Sequence, residues 1–278
     1  MIESSKILRG LNHKDYEHPF DRKALETLEN NPASEKISKL IVKHTIERYY
    51  TIQYTGSNLR VDKRNFPDIY KMLLLACSIL DLNEIPDLYL QWGYDINGFT
   101  TGAEKPFIVL NSGAIDLCSE NELLFVLGHE IGHIKSKHML YHMLAQGYNE
   151  IAELIGDFTL GIGKLLTRPI QFALMYWYRM SEFTADRAGL LCCQDLNAAI
   201  GAMMKIAGTP VKYYNQIVHD TFIEQATTFK RLDYDGFNKL IKIVSVMDST
   251  HPWTVMRAAE LLNWEKEKYY DKIISRNI

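Results

Sequence analysis

Apolar residues recur at helical spacing over most of this chain and at strand spacing over one stretch near its middle. Asp21 to Tyr50 reads as two helices divided at Asn30-Asn31-Pro32, a strong stop signal. Phe66 to Leu80 reads as another helix, with Pro67 near its start and apolar residues on most faces. The pattern then changes. Leu88 to Trp92, Ile96 to Thr100 and Phe107 to Leu110 are short, β-prone and separated by Gly, Asn, Asp or Pro, which predicts a small sheet. From Asn121 onward the pattern is helical almost to the C-terminus. The expected class is α+β, predominantly α, with one small sheet packed on the helix through Leu123–Ile134. Residues 1–63 read as an N-terminal helical extension and 64–278 as the main domain, together one compact unit.

Composition narrows the function more than the fold. With 47% hydrophobic and 23% charged residues the chain can bury a core. A net charge of −3 excludes nucleic acid as the expected partner, because phosphate binding needs a positive surface. No apolar run reaches the ~18 residues that a membrane span requires, although an apolar helix resting on a membrane surface remains compatible. The start, Met1 to Lys6, is polar and leads into no signal-peptide core. The four cysteines, Cys77, Cys118, Cys192 and Cys193, form no C-x-x-C and read as reduced, buried thiols. Together these features point to the cytoplasm.

His129-Glu130-Ile131-Gly132-His133 carries the chemistry. Four residues on a helix turn through about 400°, so both imidazoles leave one face, a turn apart, and can reach one Zn²⁺ at about 2.0–2.1 Å. Glu130 lies about 100° round from His129, close to the metal but off the ligand axis, where a general base is needed. A catalytic zinc takes three protein ligands and keeps one position for water. Ser181-Glu182-Phe183-Thr184-Ala185-Asp186 supplies the third. Glu182 and Asp186 share a helical face, with Glu182 as ligand and Asp186 one step outward, accepting the Nδ1–H of a ligand histidine. Gly128 and Gly132 read equally as close helix packing and as backbone clearance beside the sheet and substrate. His138 and His142 repeat the i,i+4 spacing beyond the metal face and read as polar helix positions. Met139, Met143 and Tyr176-Trp177-Tyr178 read as packing.

H-E-I-G-H followed by E-F-T-A-D resembles the gluzincin metallopeptidases, in particular the HtpX-like and CAAX prenyl protease type 1 family. Three further segments are similar to it: Asn97 to Gly102 to the family's edge strand, Phe107 to Leu117 to the strand and turn that precede the motif helix, and His251-Pro252 with Arg257 to a late His-Pro…Arg motif. The resemblance runs from about Arg64 to Leu262 and implies a zincin-like fold with one Zn²⁺ per chain. It implies that His251 faces the open side of the metal and stabilises the tetrahedral intermediate, with Arg257 assisting or orienting it. Pro252 suits a first helical position, which makes His251 a plausible cap with its ring pointing out of the helix start. A polypeptide substrate would lie extended along Asn97, Gly98, Phe99 and Thr100, adding a strand to the sheet.

The sequence departs from that family in one respect. Many members carry an apolar helix pair between the two zinc motifs. Here the insert, Met139 to Tyr178, contains Glu150, Glu153, Asp157, Lys164 and Arg168 and reads as amphipathic helices, a lid or wall over the cleft. The expectation is a soluble zinc metalloendopeptidase acting on peptides rather than prenylated substrates. The competing expectation is a chaperone-like pseudoprotease that binds peptides without turnover, against which an intact Glu130 counts.

Overall fold

The computed structural model describes residues 5–29, 47–145, 168–231 and 252–276. In chain order its helices are α1 (His13–Tyr16), α2 (Pro19–Glu29), α3 (Glu47–Ser57), α4 (Pro67–Ile79), α5 (Ser112–Leu117), α6 (Glu120–Lys135), α7 (Arg168–Cys193), α8 (Leu196–Ile206), α9 (His219–Arg231), α10 (Thr254–Lys266) and α11 (Tyr269–Ile274). Its strands are β1 (Leu59–Val61), β2 (Asp87–Gln91), β3 (Gly98–Thr101) and β4 (Phe107–Asn111). The α+β class and the dominance of helix agree with the sequence pattern. Of the second helix expected before Tyr50 only 47–50 is described, as the start of α3, which runs on to Ser57; the centre of the insert at 146–167 and His251 lie outside the described residues.

The four strands stand in the order β1-β2-β4-β3, with β2 and β4 parallel and the outer pairs antiparallel. Alternation along the strands divides the sheet into two faces. Leu88, Ile108 and Leu110 join the main core with Leu73 and Ile79 of α4 and Leu124, Leu127 and Ile131 of α6. Tyr89, Phe107 and Val109 face the other way, where Tyr54 of α3 packs on them. β1 was not expected from the pattern. Three residues with an arginine at the centre carry no readable alternation, and pairing with β2 makes them a strand.

α6 is the buried axis of the molecule, with every residue from Glu122 to His133 out of solvent. It begins in a capping box: the Ser119 hydroxyl accepts from the Glu122 amide and the Glu122 carboxylate accepts from the Ser119 amide at 2.6 Å. Glu122 also holds Lys205 of α8 at 2.6 Å. α7 runs antiparallel beside α6 along a seam of small residues. A Cβ on Gly128 would stand 2.3 Å from Cys192 Cβ, and one on Gly132 would stand 2.6 Å from Ala188 Cβ. Both glycines therefore face α7, and close helix packing is the role this structure gives them.

Candidate metal centre

The seam fixes the site, because α6 carries the histidines and α7 the carboxylates. His129, Glu130, His133, Glu182 and Asp186 are all buried. His129 Nε2 lies 3.1 Å from His133 Nε2 and 3.5 Å from Glu182 Oε2, and His133 Nε2 lies 3.3 Å from Glu182 Oε1. Three ligands at about 2.0–2.1 Å around a tetrahedral zinc stand roughly 3.3 Å apart. The donor set thus has the dimensions of a zinc site, and its chemistry agrees.

Asp186 Oδ1 sits 3.0 Å from His129 Nδ1, and His138 Nδ1 sits 2.9 Å from His133 Nδ1. A neutral imidazole that spends its proton on Nδ1 presents a lone pair at Nε2. Two lone pairs and a carboxylate then converge on one point, an arrangement that calls for a cation. The proton affinities express the same pull. Burial depresses both rings, but hydrogen bonds donated to Asp186 and Glu182 lift His129 to about 9, so that without a metal a proton is the cation held there, whereas for His133 burial prevails and takes it to about 4. Burial also opposes charge on Asp186, yet the Arg257 guanidinium holds its carboxyl below the usual range.

Arg257, on the first turn of α10, donates from Nε to Asp186 Oδ2 at 2.9 Å and from Nη2 to Asp186 Oδ1 at 2.6 Å. Its Nη1 stands 3.5 Å from Glu182 Oε2. Its polar contacts thus run to the carboxylates of α7 and, at 3.4 Å from Nη2, to His129 Nδ1. Glu130 points toward the sheet, where the Thr100 hydroxyl donates to its Oε2 at 2.7 Å. A cleft of about 570 Å³ opens over these groups, lined by Asn97, Gly98, His129, Glu130, Glu182 and Arg257 and closed opposite by Thr209, Pro210 and Thr254. β3 is the sheet edge on that side. Of the four residues expected to meet substrate, Asn97 and Gly98 line the cleft, Phe99 packs on Tyr54 with ring centroids 4.8 Å apart, and Thr100 reaches Glu130.

His138 and His142 differ from expectation. Both are buried, and the His133 ring lies against each, 5.2 and 4.6 Å between centroids. The cause is the end of α6. Lys137 takes a left-handed conformation, φ 58°, and turns the chain back, so His138 does not continue the helical face on which i,i+4 spacing would place it.

A pair of histidines on one buried helix thus faces a glutamate on the next, with a second glutamate beside them, and comparison with known proteins points to metallopeptidases. Residues 81–265 match Peptidase family M48, and the chain belongs to that family of HtpX-like zinc metallopeptidases. It is 29% identical over 273 residues, 97% of this chain and 78% of the relative, to a plastoglobule-localized metallopeptidase 48, chloroplastic, of Arabidopsis thaliana. It is 26% identical over 236 residues, 76% of this chain and 79% of the relative, to a protease HtpX homolog of Burkholderia mallei. A protease HtpX homolog of Fusobacterium nucleatum is 30% identical over 114 residues, 40% of this chain and 37% of that one. No solved structure matches. Among the described residues no helix is long and apolar enough to cross a membrane.

Proposed function

We propose that the chain is a zinc-dependent endopeptidase in which His129, His133 and Glu182 hold one zinc ion and Glu130 is the general base. The convergence of two Nε2 lone pairs and a carboxylate within 3.5 Å of one another carries this reading. Zinc held there supplies Lewis acidity, acidifying water and polarising a peptide carbonyl. Glu130 takes the proton of the attacking water and passes it to the leaving amine. The Thr100 hydroxyl keeps that carboxylate aimed at the cleft. Asp186 fixes the His129 tautomer, and Arg257 locks Asp186 in turn. The helix expected to start at Pro252 starts at Thr254 with Trp253 as its N-cap, so His251 is not the cap; it takes the role the family resemblance gives it, stabilising the oxyanion. Substrate lies extended along the open edge of β3, where backbone pairing sets register and Gly98, which has no Cβ to press on Leu110, lets the strand lie close to Glu130. The proposed setting is the cytoplasm, with contact at a membrane surface confined to the periphery. Residues 1–63 and 64–278 act as one unit.

The test is a peptide-library digest read by mass spectrometry, with metal analysis of the same samples. The parent carries one zinc per chain and cleaves, and a chelator stops it. Glu130→Gln keeps the zinc and loses about 10²–10⁴-fold in rate. Glu182→Ala loses the zinc. Parent-level metal in Glu182→Ala removes Glu182 as a ligand, and unchanged cleavage by Glu130→Gln removes Glu130 as the base.

A further inference from the structure

We propose that Asp21 and His138 are positioning residues for the metal centre, forming a carboxylate–imidazole relay that orients His133 from the N-terminal region of the chain. The proposal rests on His133 being a zinc ligand. His129 has its carboxylate directly, in Asp186. His133 has none at its Nδ1 and meets His138 there instead, 2.9 Å away. The far nitrogen of His138, Nε2, stands 3.2 Å from Asp21 Oδ2.

The proton positions follow in one consistent order. His133 turns Nε2 toward His129 and Glu182, so its proton sits on Nδ1 and is donated to His138 Nδ1. His138 accepts at Nδ1, so its own proton sits on Nε2 and is donated to Asp21. Asp21 is built to end such a chain. It is 1% exposed, and its two oxygens also accept from Trp177 Nε1 at 2.9 Å and from the Thr184 hydroxyl at 2.6 Å. Three donors around one buried carboxylate favour the ionised acid, which only accepts and brings no O–H of its own among them.

The neighbouring His142 does not compete for the proton of His133 through Nε2. That nitrogen is engaged by Ser181 Oγ at 2.8 Å, and the hydroxyl itself donates to the Tyr178 carbonyl. The relay is therefore the route by which α2, lying outside the family-matched residues 81–265, reaches the metal centre. The consequence is a division of labour: α10 fixes one ligand histidine through Arg257 and Asp186, and α2 fixes the other through Asp21 and His138.

Three variants of the full chain test this: Asp21→Asn, His138→Phe and His138→Asn. Asparagine at 21 sets an NH₂ group among three donors. Phenylalanine at 138 keeps a ring and removes both nitrogens. Asparagine at 138 keeps an acceptor close to the position of Nδ1. Zinc affinity is measured by competition with a chromogenic chelator, and the visible spectrum of the cobalt(II)-substituted protein reports ligand geometry. Melting of the metal-free protein reports fold. Asp21→Asn and His138→Phe are expected to bind zinc about 10–100-fold more weakly with an altered cobalt spectrum, and His138→Asn to recover most of the loss. Parent affinity and parent spectrum in both Asp21→Asn and His138→Phe overturn the proposal, even where their metal-free melting falls. Two zinc ions per parent chain, one of them lost in His138→Phe, also overturn it and make His133, His138 and His142 a second metal site. A parent that binds no zinc refutes the ligand assignment itself, and the relay with it.

Discussion

Asp186 answers to two partners at once, accepting from the His129 ring and from both forks of Arg257. Asp186→Asn preserves the shape and removes one acceptor, so an amide NH₂ must oppose either the guanidinium or the imidazole. Zinc affinity should fall about 10–100-fold. Because Arg257 is left as a buried charge with half a partner, the metal-free protein should also lose roughly 3–5 kcal/mol. Chelator competition and denaturant unfolding measure the two effects separately. Equal affinity in both forms would leave Asp186 with the structural role only. Most of this site was legible in the sequence, since His129, His133, Glu182 and Asp186 obey i,i+4 spacing on two uninterrupted helices. Asp21 and His138 were not. Their meeting depends on a left-handed turn at Lys137 and on a helix 117 residues earlier docking against α7, and no periodicity records either.

At the level of elements, the distance between α6 and α7 is set by side chains that are missing. Gly128→Ala improves helix propensity by about 1 kcal/mol but drives a Cβ to 2.3 Å from Cys192 Cβ. The net should be destabilising, since overpacking costs typically 1–3 kcal/mol, and Cys192→Gly in the same chain should relieve the clash. Gly56 in α3 is the control. A Cβ there meets nothing within 4 Å, so Gly56→Ala should stabilise by roughly 0.5–1 kcal/mol. Thermal melting of the four proteins decides it, and a Gly128→Ala variant as stable as the parent would show that the seam can open. Hydrophobic periodicity gave the helix from Asp21, the helix over Phe66 to Leu80, the helical run from Asn121 onward and three of the four strands, but not α1, α5 or the extent of α3. It could not choose between seam and clearance for Gly128 and Gly132, because a glycine's reason lies on the neighbouring helix.

Over the whole molecule, metal and fold are coupled. The proposed ligands come from α6 and α7, so a bound ion ties together helices that also carry the main core. A ligand at 1,000 times its dissociation constant stabilises the native state by about 4.1 kcal/mol, so chelation should lower the melting temperature by several degrees. A melting curve indifferent to chelator would mean that no ion is held at this point. The thiols offer a second test of the same core. Burial pushes Cys77, Cys193 and the half-buried Cys118 up to about 12, and it raises Cys192 well above its ordinary value. Their thiolate fraction near pH 7 is then negligible, so iodoacetamide should leave the native protein nearly unlabelled and modify it readily in denaturant.

The bidentate grip of Arg257 on Asp186 has a consequence in time. The two residues are 71 positions apart, and Arg257 comes 128 positions after the His129 ring that it approaches. Chains emerge from the ribosome at about 5–20 residues per second, N-terminal first. Both zinc motifs are therefore outside the ribosome for several seconds before the residue that locks Asp186 exists. During that interval Asp186 is without the two guanidinium hydrogen bonds that Arg257 later donates to it. A chain assembled in this order completes the hydrogen bonding around Asp186 late.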